Sequence, residues 1–267
     1  MRAITDFHSH LIPGVDDGAQ TPDDSAAALA RFSAEGATQI ITTPHFMGSL
    51  TGDGRAALRL AELDAGWDRL RAVIESHASK GGAALRVERG VELMLDVLDP
   101  DLADDRLRLA GGPFALVEYP MLRVPPVNAE VALSAMRVRG WIPVVAHPER
   151  YRNLDPTLDL VRFRQAGAFL QMNAGSLFGD YGKTAAGHAR RILLAGEADY
   201  VASDYHARGE PGVQRFVRAM AEAGFDEQAE LLTSVNPSRI LSGELPLRVP
   251  PIAPKKESRS LWERLFG

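Results

Sequence analysis

The chain is predicted to be an α/β protein whose parallel strands form one closed or nearly closed barrel, and three observations carry that expectation. Strand-like and helix-like segments alternate seven times, which implies parallel strands joined by crossover helices. The length, 267 residues, suits a single α/β barrel domain. Each predicted strand also finishes on a polar or metal-ligating residue, and in parallel barrels the strand C-termini gather on one face.

Ala3 to His8 reads as the first strand, followed by Ser9, His10 and a turn at Pro13–Gly14. Thr21 is an N-cap with Pro22 in the first helical position, and Asp23 and Asp24 complement the helix dipole. That helix runs through Leu29 and Phe32 to a glycine stop at Gly36. The β-branched run Thr38 to Thr43 is a strand ending on Pro44–His45, and the glycine-rich segment Met47 to Gly54 is expected to be a mobile loop. Leu60, Leu63, Trp67, Leu70 and Ile74 keep helical spacing within a long helix over Arg55–Ser79.

The apolar run Leu85 to Leu93 ends near Glu92, and Phe114 to Val117 leads to Glu118. A helix from Val127 to Arg139 precedes the strand Ile142 to Ala146, which ends on His147. Another over Pro156–Ala166 precedes Ala168 to Met172, ending on Asn173. After a helix over Thr184–Ala195, the strand Asp199 to Ser203 reaches Asp204 and His206. Helices are expected near Gly212–Ala223 and Glu227–Thr233, before Asn236–Pro237–Ser238–Arg239. Residues 1–243 are therefore assigned to the barrel and 244–267 to a Pro-rich linker and tail. Ser260 and Glu263 in the tail have the spacing of a capping box, which fits a short docking helix or a frayed terminus.

Composition narrows the chemistry. With no cysteine, disulfides, thiolate metal sites and cysteine nucleophiles are excluded. The net charge of −5 supplies no global field for nucleic acid. There is no apolar run of about 18 residues and no charged-then-apolar leader, so a soluble cytoplasmic protein without membrane insertion is expected.

Five of the seven histidines, His8, His10, His45, His147 and His206, fall at predicted strand ends, whereas His77 and His188 fall within predicted helices. Any one of them is most simply a structural histidine. Five together with Glu92, Glu118, Asp204 and the Asp16–Asp17 pair point to metal. These groups outnumber the three or four ligands of one catalytic zinc, so two or three divalent ions are expected. Imidazole and carboxylate without thiolate suit Mn2+, Fe or Zn2+, and the ligand set does not choose among them; Mn2+ is carried forward as the first candidate.

The motifs His8–Ser9–His10, Thr43–Pro44–His45, Glu92, Glu118, His147–Pro148–Glu149–Arg150 and Ser203–Asp204–Tyr205–His206 resemble the PHP (polymerase and histidinol phosphatase) superfamily. More narrowly, Asp6 to His10 with Gly14 to Gly18, and His147 to Tyr151, are similar to bacterial tyrosine-protein phosphatases of capsule and exopolysaccharide clusters. The resemblance extends to about Leu241 and implies a distorted (β/α)7 TIM-like barrel with a trinuclear site. It assigns His8, His10, Glu92 and Asp204 to one ion; Glu92, Glu118 and His147 to a second; and Asp17, His45 and His206 to a third. Asp16 is the alternative to Asp17.

The resemblance further implies a phosphoric monoester hydrolase in which metal-activated hydroxide attacks phosphotyrosine, on a partner such as a bacterial tyrosine kinase controlling capsule or exopolysaccharide synthesis. Arg150 is the expected bidentate phosphate contact, or else a loop salt bridge to Glu149. Arg208 is the expected second phosphate arginine; the loop there is shorter than the family pattern, and Arg123 and Arg55 compete. Asn173 is expected to hold water or substrate, or to cap its own loop. The alternatives are a small-molecule phosphatase such as histidinol phosphatase and a non-enzymatic regulatory barrel. A nuclease is disfavoured by the acidic chain.

Overall fold

A computed structural model describes residues 4–252 apart from 53, 83 and 126. The first strand, β1 (Ile4–Asp6), leads to helix α1 (Pro22–Ala34). The predicted N-cap is present: Thr21 Oγ1 accepts from Asp24 N, and Asp24 Oδ2 accepts from Thr21 N at 2.9 Å. Gly36 ends the turn at a φ of +79°, which glycine adopts without a Cβ penalty.

The predicted second and third strands are each broken in two. β2 (Ala37–Thr42) stops at Thr43–Pro44 before β3 (His45–Met47), because proline has no N–H for the ladder. Helix α2 (Ala56–Ser79) follows, then β4 (Arg86–Arg89) and β5 (Glu92–Met94), parted at Gly90–Val91. Hydrogen bonds run through both breaks, from Gly90 N to Thr42 O (2.9 Å) and from Glu92 N to Pro44 O (3.0 Å).

The remaining units are β6 (Phe114–Glu118), α3 (Ala129–Val138), β7 (Ile142–Ala146), α4 (Asp159–Gln165), β8 (Phe169–Asn173), α5 (Lys183–Leu194) and β9 (Tyr200–Ala202). Helices α6 (Val213–Glu222), α7 (Asp226–Glu230) and α8 (Asn236–Leu241) end the described fold. A π-helical turn over Leu231–Val235 joins the last two, so the expected helix over Glu227–Thr233 continues past its predicted end.

All ladders are parallel and form two sheets, β1-β2-β4 and β3-β5-β6-β7-β8-β9. The sheets meet again where Ser9 and Tyr205 form an isolated parallel bridge, supported by His10 N donating to Tyr205 O at 2.8 Å. The architecture is thus mixed α/β with parallel sheets. Among the described residues no sheet closes into the continuous barrel ladder that was expected, because breaks at Pro44 and Gly90 and a single bridge interrupt it.

Strand residues alternate between two apolar clusters. Ala115, Val117, Val145 and Val201 join the large cluster that packs α1, α2 and α3 through Phe32, Leu63 and Leu133. Phe114, Leu116, Val144, Ala146, Tyr200 and Ala202 form the smaller one with Phe7 and Ile240. Period-two alternation carries the inner row on from Leu116 to Glu118 and from Phe169 to Gln171 and Asn173, so the apolar interior turns polar at the strand C-termini.

Two segments depart from expectation. Residues Gly48–Gly52, predicted as a mobile loop, form a 3-10 turn held by Ser49 N to Asp96 Oδ1 at 2.8 Å and Thr51 Oγ1 to Gly48 O at 2.7 Å. The start of the expected linker lies on the body: Ile252 N bonds Leu194 O at 2.9 Å, and Val249 and Ile252 are buried in the large cluster. The expected docking helix at 260–266 lies outside the described residues. Among the described residues no helix is long and apolar enough to cross a membrane.

Candidate metal centre

Strand register brings the expected ligands together. His45 pairs with Glu92 across β3 and β5, and Glu118 lies two residues beyond Leu116, the partner of Glu92 on β6. His8 and His10 follow β1, and Asp204 and His206 follow β9 across the Ser9–Tyr205 bridge. His147 (φ 33°), directly after β7, and Asp204 (φ 54°), two residues after β9, take left-handed backbone conformations, strain that turns the chain sharply at two of the expected ligands.

The potential donor atoms form three overlapping groups: His8, His10, Glu92 and Asp204; His10, Asp17, His45 and His206; and His45, Glu92 and Glu118. Within each group they lie within 4.8 Å of one another. His8 Nε2 stands 3.3 Å from both Glu92 Oε2 and Asp204 Oδ1. His45 links two groups, with Nδ1 3.1 Å from Glu92 Oε2 and Nε2 3.3 Å from Asp17 Oδ1. His147, expected to share an ion with Glu92 and Glu118, contacts Glu92 Oε1 through Nε2 at 2.8 Å.

The chemistry of this set fits divalent metal. His8 Nε2, His10 Nε2, His45 Nδ1, Glu92 Oε2 and Asp204 Oδ1 are buried without a hydrogen-bond partner among the described residues. Each unsatisfied group of this kind costs about 1–3 kcal/mol, and cations seated among them would remove that cost. The donors are all imidazole nitrogen and carboxylate oxygen, which suits zinc, manganese or iron.

Protonation reflects the same crowding. Burial alone would lower His10, but the Asp16 hydrogen bond and the Asp204 and Glu92 carboxylates outweigh it and hold the imidazole at about 9. Burial likewise opposes protonation of His45, which Glu118 and Glu92 nevertheless raise to about 11. Burial pushes Glu92 up, yet His8, His147 and His45 bring it well below the ordinary carboxylate range. Metal ions would compete with the protons on these imidazoles.

The two adjacent aspartates have different neighbours. Asp16 Oδ2 accepts from His10 Nδ1 at 2.8 Å and from His45 N at 3.2 Å, and its Oδ1 accepts from Gly18 N at 3.0 Å. Its oxygens are thereby taken up by His10, the His45 amide and the Gly18 amide, while Asp17 faces His45 and His206. Gly18 is required for this arrangement, since a Cβ there would lie 2.2 Å from His10 O.

Beside the ligands lies a cavity of about 290 Å³ lined in part by Asp17, Arg150, Tyr181, Asp204, His206 and Arg208. Arg150 pairs with Asp204 and stands 4.3 Å over the Tyr181 ring. The alternative salt bridge to Glu149 is not seen among the described residues: Arg150 turns to Asp204, and the buried Glu149 Oε1 accepts from Ser176 Oγ at 2.7 Å and Asn173 N at 2.9 Å. Arg208 donates to Asp17 O at 3.0 Å. Arg55 stands at the start of α2 and Arg123 in the exposed turn after Leu122, whereas Arg150 and Arg208 share the cavity. Asn173 does not cap its own loop and bonds Asp204 and Gln171 instead. His188, on α5 as predicted for a helix, is half-buried with Nδ1 3.2 Å from Glu149 O.

The sequence reading missed Gln171, Tyr181 and the orienting role of Asp16. The available signal for Gln171 was its spacing of two from Asn173 on a predicted strand.

Residues 4–242 match the family described as capsular polysaccharide synthesis, CpsB/CapC. The chain belongs to this family. Its CpsB/CapC relatives include the tyrosine-protein phosphatase YwqE of Bacillus subtilis, 29% identical over 99% of both chains. Tyrosine-protein phosphatase CpsB of Streptococcus agalactiae is 28% identical over 76% of this chain and 83% of its own. A solved structure from work on YwqE of B. subtilis and CpsB of Streptococcus pneumoniae, described as unique metal-dependent tyrosine phosphatases, superposes with a TM-score of 0.74 at 27% identity. It covers 95% of this chain and 100% of that one. The phosphotriesterase homology protein of Escherichia coli shares the fold alone, with a TM-score of 0.51 at 13% identity over 90% of this chain and 98% of its own.

Proposed function

We propose that this CpsB/CapC chain is a metal-dependent protein-tyrosine phosphatase with the distorted (β/α)7 organisation of PHP enzymes, its two sheets together forming the ring. The observation that carries the reading is the juxtaposition of three overlapping ligand groups, several of whose buried atoms lack partners, with an arginine-bearing cavity. His8, His10, Glu92 and Asp204 would hold one ion, Glu92, Glu118 and His147 with His45 beside them a second, and Asp17, His45 and His206 a third. Two or three divalent ions, Mn2+ first, would supply an acidified water and neutralise phosphate charge.

The protein's own groups do the rest. Arg150 offers a planar fork to two phosphate oxygens, and Arg208 adds charge across the same cavity. Tyr181 fixes the Arg150 guanidinium from one side and Asp204 from the other, so it is oriented before substrate arrives. The open cavity suits a phosphate carried on an exposed polypeptide side chain. Family membership supports a phosphotyrosine protein of the capsule or exopolysaccharide system, such as its tyrosine kinase, met in the cytoplasm.

The test is hydrolysis by full-length protein stripped with chelator and reloaded with Mn2+. Turnover of an aryl phosphate and a phosphotyrosine peptide is expected, with little on histidinol phosphate. Absence of aryl phosphatase activity in the fully loaded protein overturns the assignment, and preference for histidinol phosphate moves it to a small-molecule phosphatase.

A further inference from the structure

Gln171 and Asn173 are adjacent inward-facing residues of β8, both buried, and their amides form one chain between two expected ligands. Gln171 Oε1 lies 2.9 Å from His8 Nδ1 and 3.2 Å from the backbone N of His147. Gln171 Nε2 donates to Asn173 Oδ1 at 2.8 Å, and Asn173 Nδ2 donates to Asp204 Oδ2 at 2.7 Å.

One backbone group fixes the polarity of the whole chain. The His147 amide can only donate, so the Gln171 atom facing it is the carbonyl oxygen. That oxygen can only accept, so the His8 nitrogen opposite it carries a proton. The other end of Gln171 is then its NH2, which presents the Asn173 carbonyl to itself and leaves the Asn173 NH2 for the Asp204 carboxylate. The result leaves His8 Nε2 and Asp204 Oδ1 facing each other at 3.3 Å, both without hydrogen-bond partners.

We propose that the Gln171–Asn173 amide relay is a positioning device that selects the His8 tautomer and aims Asp204 Oδ1, so that both ligands are set for the same ion before it binds. This rests on the reading of His8 and Asp204 as metal ligands. Outer partners of this kind fix ring orientation and typically contribute about 10–100-fold to metal affinity. Gln171 and Asn173 act through the ligands: the Gln171 amide is engaged by His8, His147 and Asn173, and the Asn173 amide by Gln171 and Asp204.

The experiment is Mn2+ titration calorimetry on full-length, chelator-stripped protein, paired with proton and nitrogen spectra of the His8 ring N–H in Zn2+-loaded protein. Gln171→Met removes the acceptor at similar length. It should weaken Mn2+ binding about 10–100-fold and move the His8 Nδ1–H resonance upfield from its hydrogen-bonded position. Gln171→Glu restores an acceptor and should return that resonance, while still weakening binding because it cannot orient Asn173. Asn173→Ala should weaken binding about tenfold with the His8 resonance unmoved, and it decides the matter by affinity if Gln171→Met does not fold. Wild-type affinity and an unmoved His8 resonance in folded Gln171→Met overturn the relay, as does wild-type affinity in Asn173→Ala should Gln171→Met fail to fold. His8→Ala separates the two levels: if it too binds Mn2+ like wild type, the ligand assignment itself has failed.

Discussion

The phosphate role proposed for Arg150 makes a specific physical demand on it. It bridges Asp204 and the Tyr181 ring at the edge of the cavity, so its planar fork is held rather than free. Arg150→Ala should lower kcat/KM on an aryl phosphate about 100-fold, and Arg150→Lys should recover little, because an ammonium neither forks nor stacks in the same way. Steady-state kinetics at saturating Mn2+ check this, and full recovery by lysine would show that charge alone suffices. A second residue of consequence is Gly18. Alanine there would set a Cβ 2.4 Å from that of His10, so Gly18→Ala should weaken metal binding even in protein that still folds, read by Mn2+ titration. At this scale the sequence was informative about donors, since histidine and carboxylate at strand ends have few other uses. It offered Asp16 only as the alternative to Asp17 and did not single out Gln171, because whether an oxygen ligates a metal or orients a ligand depends on which N–H faces it.

Among the elements, α2 shows how a helix outside the sheets steadies the ligand loop. Arg59 donates to Val15 O at 2.9 Å and Arg69 to Pro13 O at 2.8 Å, while Gly66 lets the helix approach that loop closely. A Cβ at Gly66 would lie 2.5 Å from Ile12 Cγ2 and 2.7 Å from Val15 Cγ1. Alanine gains about 1 kcal/mol in helix propensity, but overpacking against buried Ile12 costs about 1–3 kcal/mol, so Gly66→Ala should destabilise in denaturant unfolding. At α1, Thr21→Ala should cost about 1 kcal/mol through loss of the N-cap. The Thr21 hydroxyl and amide hold Asp24 below its ordinary value, so its stabilisation is present above pH 3.8 and is lost as the pH falls through its lower folded value. Comparing wild type with Asp24→Asn across acid pH checks the sign. The capping box was readable because it is local in sequence. The 3-10 turn at Gly48–Gly52 was not, since Asp96, far along the chain, holds it.

Across the whole molecule, parallel pairing and crossover alternation were legible because the period-two and helical patterns are strong, whereas closure was not, since it depends on how the first and last parts of the sheets meet. They meet at β1 and β9, where Asp6 accepts from His8 N at 3.1 Å and Ser203 N at 2.8 Å across the seam. This seam, joined by one isolated bridge rather than a strand ladder, carries His8, His10, Asp204 and His206, four of the proposed metal ligands. Ions bound there would join the first and last strands and should stabilise the native state by mass action. At a free concentration of 100 Kd the gain is about 2.7 kcal/mol per site, and a chain of this size shifts by about 2–4 °C per kcal/mol. Chelation should therefore lower Tm by roughly 5–10 °C for each tightly held ion. Readdition of Mn2+ should restore it, and amide exchange should quicken first at residues 7–10 and 203–206. A Tm indifferent to chelation in protein proven metal-loaded would mean that the seam is held by the protein's own hydrogen bonds, and the structural contribution assigned to the ions would be withdrawn.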